Sequence, residues 1–233
     1  MKYLFFIFAT LIFAGWYSPA HANTTWCKMS KAPDIIVVPR TDNVRIDTSR
    51  SHNQLGGFTI DTVNPYGAGA HTEVGGLMEG EIEANFGMQV NMLTNGRTNQ
   101  TCVWYDKINV DIKITPVIYI AREYPRGSCM FNAVYEHELK HVNVDRQIVN
   151  KYVRIVGEDL KTHIAQKAIY GPFPANQLSN MQQQMQEQLN NRVKHLLSIM
   201  EKDRLTLQQQ VDSLEEYERV RKLCPQERAN YRR

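Results

Sequence analysis

The sequence predicts an α+β fold: a small antiparallel sheet packed on a long helix that carries His137-Glu138-Leu139-Lys140-His141, followed by a second long helix that folds back as an antiparallel hairpin. Two changes of texture along the chain predict it. From about 35 to 121 apolar residues recur at every second position, and from 128 onward they recur at spacings of three and four. In addition, no proline interrupts the stretch between Pro125 and Pro172.

The strand signals come in order. Ile35-Ile36-Val37-Val38 is a β-branched run closed by Pro39. Val44, Ile46 and Thr48 alternate with polar residues, and Phe58 and Ile60 do the same after Gly56-Gly57. Ile108, Val110, Ile112 and Ile114 give the clearest period of two, stopped by Pro116, and 117–120 reads as a short buried strand. Gly67-Ala68-Gly69 and Gly75-Gly76 mark turns between these segments. Ser128 is a good N-cap for a helix from about 129 to about 169, loosened at Gly157. Gly171-Pro172-Phe173-Pro174 breaks it, and a second helix runs from about 176 to about 223. Its Leu178, Met181, Met185, Leu189, Val193, Leu196 and Met200 form a seam of the coiled-coil kind.

The N-terminus reads as a secretory signal over 1–22. Lys2 is followed by an apolar and aromatic run over 3–16 and by the small-residue exit Ala20-His21-Ala22. That run is shorter than the roughly 20 residues of a permanent span, which weighs against an uncleaved anchor. Residues 23–233 then form one domain, with 23–127 mainly strands and turns and 128–224 the helical hairpin. Export implies a periplasmic or secreted protein with no membrane span after cleavage. The formal net charge of +3 comes from interspersed acids and bases, without the basic block that nucleic acid would require. The four cysteines, in an oxidising compartment, imply two disulfides with three pairings open. Cys102–Cys129 with Cys27–Cys224 is the preferred pairing, tying the strand region to the first helix and the two chain ends together.

The H-E-x-x-H spacing carries the chemistry. On a helix, residues four apart lie about 40° apart and one turn distant, so His137 and His141 can share one metal ion. Glu138 then stands beside the remaining coordination position, where it can take a proton from a zinc-bound water. Both histidines also sit in an otherwise apolar row with Met130, Val134, Ile148, Tyr152 and Ile155, and buried imidazoles need partners. The alternative is two core histidines bonded to ordinary acceptors, and a shared metal, which satisfies both rings at once, is preferred to it. The third ligand is unresolved. Asp145 starts about 9 Å beyond the metal level on a straight helix, so it is assigned to orienting His141 from behind. Glu158 and Asp159 would lie about 25 Å away. His71 from the strand region, or Glu201 and Asp203 from the returning helix, remain as candidates.

The segment Tyr119-Ile120-Ala121-Arg122-Glu123-Tyr124-Pro125, Gly127-Ser128-Cys129, then Glu136 to Val142 and Asp145-Arg146, resembles the bacterial family of predicted secreted zinc-dependent proteases. The resemblance covers 102–160, about a quarter of the chain. It implies a Zn2+ cofactor, His137 and His141 as ligands and Glu138 as catalytic base; a peptidase reading then carries the expectation of a protein or peptide substrate in the cell envelope. The chain departs from better-known metallopeptidases in lacking a glycine turn and a ligand shortly after the motif. Two functions are therefore expected to compete: a zinc-dependent hydrolase of the metallopeptidase type, and a non-catalytic envelope scaffold whose hairpin binds a partner helix or its own copy, with at most a structural metal.

Overall fold

One long strand, β4 (Gln100–Ile120), organises the computed structural model, which describes residues 26–67, 73–167 and 169–225. The signal segment 1–22 and His71 lie outside the described residues. Ile108, Val110, Ile112 and Ile114 all point to one face of β4 and are buried, as the period of two demands. β3 (Gly76–Asn95) runs antiparallel to β4 along its length through the turn 96–99. On the other edge of β4 three shorter strands follow one another: β5 (Ile169–Pro174) antiparallel, then β1 (Asp34–Thr41) and β2 (Arg45–Asp47), both parallel.

The sheet is thus mixed, and its parallel β1 and β2 pairings correct the antiparallel sheet expected from the sequence. The tight turn forces β3 to be antiparallel to β4, but the long segment between β2 and β4 leaves β1 and β2 free to dock in either sense. Phe58 and Ile60 belong to an irregular loop after the single helical turn α1 (His52–Leu55), and Gly76 opens β3 where a turn was expected. Pro116 does not end β4. It pairs with Gly80, whose carbonyl faces away from β4 toward Arg204, so β3 needs no donor there. On the other side residue 116 falls between the last β1 pair, at Ile114, and the first β2 pair, at Val117. A proline without N–H is tolerated in such a gap.

α2 (Cys129–His163) starts on Ser128, whose Oγ accepts from the Phe131 amide at 3.1 Å, and it runs unbroken through Gly157. It ends earlier than expected, because 169–174 pairs with β4 instead of forming a plain break. α3 (Leu178–Val211) then returns antiparallel to α2, with Arg192 on Asp159, Arg204 on Asp145 and Gln208 on His141. Its seam residues Met185, Leu189, Val193, Leu196 and Met200 are buried with the β4 isoleucines in one core. That seam is spent inside the molecule. The second helix does not run to 223 as one piece: it turns at Asp212 and restarts as α4 (Leu214–Leu223) on the N-cap Ser213. Among the described residues no helix is long and apolar enough to cross a membrane.

The disulfides are Cys27–Cys102 and Cys129–Cys224, which corrects the expected pairing. Cys102 lies near the start of β4 and Cys129 beyond its far end. At about 3.3 Å per residue the strand between them spans about 60 Å, whereas bridged Cα atoms lie within about 7 Å. Two disulfides fit an oxidising, extracytoplasmic environment.

The Asp159–Arg192 pair that clips α2 to α3 yields a pH-dependent expectation. The Arg192 guanidinium bonded to Asp159 holds its carboxyl below the ordinary value of 3.8. A depressed folded-state pKa gives stability that is complete at neutral pH and is lost as pH falls below the unfolded value through the folded one. Asp159→Asn should therefore cost roughly 0.5–1 kcal/mol at pH 7 by urea denaturation, with the difference from wild type closing below about pH 3.8.

Candidate metal centre

Three elements bring the polar residues of the centre together. α2 supplies His137, Glu138 and His141, one helical turn deep and each less than a tenth exposed. The corner between α3 and α4 supplies Gln208, Asp212 and Glu216, because the helix breaks at Asp212 and Ser213 starts the next one by accepting from the Glu216 amide at 3.2 Å. The first residues of β3 close the third side. One donor atom each from His137, Glu138 and His141 lie within 4.8 Å of one another, so this buried group could hold a metal ion.

The hydrogen bonds fix how the imidazoles are turned. Gln208 donates its amide nitrogen to the His141 carbonyl, at 3.2 Å, and to Asp145 Oδ1, at 2.6 Å. Its oxygen must then be the atom facing His141 Nδ1, at 2.5 Å, so that ring nitrogen carries the hydrogen. Glu216 Oε1 lies 3.3 Å from His137 Nδ1 and can only accept. With both Nδ1 atoms as donors, the Nε2 atoms of the neutral rings carry lone pairs. Both lie close to Asp212 Oδ1, which is 3.2 Å from His137 Nε2, in hydrogen-bond geometry, and 3.3 Å from His141 Nε2. Thr62, from the irregular loop, donates to the other Asp212 oxygen and so pins the carboxylate. Val63 and Gln209 exchange two hydrogen bonds beside it, which straps that loop to α3.

Charge follows this geometry. Burial raises the Glu138 carboxyl above its ordinary value, against the pull of both imidazoles and of the Met78 amide on β3. Burial works against protonated His137 and His141, but the bonds to Asp212 and the charge of Glu138 outweigh it and raise both. Burial likewise opposes charge on Asp212, yet the two rings hold its carboxyl far below the usual range. Arg219, ahead of Lys140 and His137, holds Glu216 well below its usual value. Burial, with the nearby charges of Asp212 and Glu138, raises the Tyr217 hydroxyl, so this ring, edge-on to His137 at 5.6 Å, keeps its proton.

The polar cluster forms the floor of a cleft of about 1150 Å3, bordered by loop residues Phe58 to Val63, by β3 from Gly76 to Glu81, and by Tyr217. Glycine lets β3 come this close. A Cβ on Gly76 would meet Val134 at 2.3 Å and Glu138 Oε1 at 2.9 Å, and one on Gly80 would meet Asp145 Oδ2 at 2.1 Å.

Comparison with family models, curated proteins and solved structures finds no match.

Of the residues expected from the sequence, His137, Glu138 and His141 come together. Asp145 is fully buried below them but reaches His141 only through Gln208, and its carboxylate is taken by Arg204 at 2.7 Å. The expectation that it bonds His141 directly is corrected accordingly. Glu201 bonds Arg204, and Asp203 bonds Lys151 and Tyr152 a turn or more away along the hairpin, so neither reaches the centre. β5 lengthens the connection and moves the level of the motif down α3, past 203 to Gln208 and Asp212. Sequence reading missed Asp212, Glu216 and Tyr217 by taking 176–223 as one helix. The signal was available: Ser213-Leu214-Glu215-Glu216 has the serine and acidic first turn of a helix start.

The close approach at β3 predicts a steric cost. Gly80→Ala should destabilise the protein by about 1–3 kcal/mol, since Asp145 is locked by Arg204 and Gln208 and cannot yield. Chemical denaturation against Gly87→Ala, where a Cβ meets nothing within 4 Å, checks it.

Proposed function

We propose that the protein is a metal-dependent hydrolase of the metallopeptidase type, acting in the periplasm or outside the cell, with zinc as its metal. The observation that carries this reading is the setting of Glu138. A buried carboxylate stands beside two imidazoles whose outer nitrogens are both engaged, at the floor of a cleft wide enough for a polypeptide segment. Two core histidines already bonded to Glu216, Gln208 and Asp212 would not call for a further carboxylate beside them, and burying one is costly. The H-E-x-x-H spacing on one helix fits the same class, and the disulfides support the compartment.

His137 and His141 would hold the ion, which supplies Lewis-acid polarisation of a scissile carbonyl and of water. The remaining work falls to the chain. Glu138 accepts the proton of the attacking water and delivers it to the leaving amine, and its raised proton affinity suits that exchange. Glu216 and Gln208 fix both rings in one tautomer. Tyr217 keeps its hydrogen and stands on the wall of the cleft beside Asp212. The β3 segment from Gly76 to Glu81 is the wall nearest Glu138, a backbone surface along which an extended peptide can lie.

The test is Glu138→Gln. It should keep about one zinc per chain, by elemental analysis of the purified protein, while cleavage of an unfolded protein such as casein falls by about 100- to 10,000-fold. A wild-type protein that takes up no zinc, or a zinc-loaded one whose Glu138→Gln variant cleaves equally well, would sink the proposal.

A further inference from the structure

We infer that Asp212, at the turn between α3 and α4, is the third protein ligand of the metal, so that the centre is a His2Asp site shared between α2 and the α3–α4 corner. The inference rests on the metal-dependent reading above and extends it.

Three independent features converge on this residue. The first is distance. Zinc ligands at about 2.0–2.1 Å, seen from the ion at tetrahedral angles, lie about 3.3 Å from one another. Asp212 Oδ1 stands 3.2 Å from His137 Nε2 and 3.3 Å from His141 Nε2, the two edges that its place in such a tetrahedron requires. A charge-assisted hydrogen bond from an imidazolium would instead draw in to about 2.7–2.9 Å.

The second feature is the direction of the donors. The hydrogens on both Nδ1 atoms are committed to Glu216 and Gln208, so in neutral rings the two Nε2 lone pairs lie beside a carboxylate oxygen. Three electron-rich atoms around one point are stable only with positive charge between them. Supplying it as protons would put two imidazolium rings with centroids 5.1 Å apart in a buried site. One divalent ion satisfies all three atoms at once.

The third is that Asp212 is held in place for the purpose. Thr62 bonds its Oδ2, which leaves Oδ1 directed at the rings, and the carboxylate is 9 % exposed. With Asp212 as the third ligand, Glu138, whose carboxylate lies within 4.8 Å of an imidazole nitrogen of each histidine and is bonded by the Met78 amide, is free to act as the base. Glu216, bonded to the back of His137 and to Lys140 and Arg219, occupies the orienting position on one ring, as Gln208 does on the other.

Zinc-edge anomalous diffraction from crystals of the wild-type chain soaked with zinc should show the ion bonded to His137, His141 and Asp212. In solution, competition with a chelator should show zinc affinity reduced at least about 100-fold in Asp212→Asn, while Asp203→Asn, at the exposed far acid, leaves it unchanged. X-ray absorption on zinc-loaded Asp212→His should rise from two imidazoles to three, which a merely structural role for Asp212 would not produce. Zinc bound by the two histidines with Asp212 out of reach, or equal affinity in Asp212→Asn, overturns this ligand assignment and leaves the hydrolase reading standing. A wild-type chain that takes up no zinc overturns both.

Discussion

The fold is built around a buried polar seam between α2 and the α3–α4 corner. His141, Asp145, Arg204, Gln208 and Asp212 are all at most a tenth exposed, and each meets another of the group. Such groups are costly to bury without partners, so the register of the two helices is fixed far more tightly than apolar contacts alone would fix it. A slip of one turn along the hairpin would leave Asp145 facing no guanidinium and both imidazoles facing no acceptor. The apolar seam farther along, from Met185 to Met200, tolerates such a slip poorly in volume but not in charge. The polar end sets the alignment, and the apolar end supplies the adhesion.

β3 carries the second constraint. Its first residues must lie against α2 closely enough for the Met78 amide to reach Glu138 and for the Gly80 carbonyl to meet Arg204. Glycines at 76 and 80 make this possible. They are conformationally unremarkable and serve only by having no side chain. The long β4 then transmits the position of β3 to the core, since one side of the same strand pairs with β3 and its isoleucine face packs on α2 and α3.

How much of this was legible in the sequence depended on whether a signal was local. The period-two isoleucines of β4, the Ser128 cap and the H-E-x-x-H spacing each act within a few residues, and each was readable. β3 was hidden although Ile82, Ala84, Phe86, Met88 and Val90 alternate with polar residues, because its glycine-rich start looks like a turn. Cysteine pairing and the parallel placement of β1 and β2 are decided by the length and path of β4, which no local pattern encodes. Asp212 fell between these cases. The helix start that exposes it is visible at Ser213, but its approach to the histidines follows from the centre of the hairpin lying beyond Pro172. A fold-back reckoned from the proline alone lands on Asp203.

The Cys129–Cys224 bond bears on when the pocket can exist. It joins the first residue of α2 to the residue after α4, and His137, Glu138, His141, Asp212 and Glu216 all lie within the loop that it closes, of sequence separation 95. Closing a loop of that length removes freedom chiefly from the open chain. A thiol form must hold its acidic corner against its histidines by weak bonds alone, whereas in the oxidised chain the corner is leashed to them. Formation of the centre is thereby coupled to oxidation of this cysteine pair.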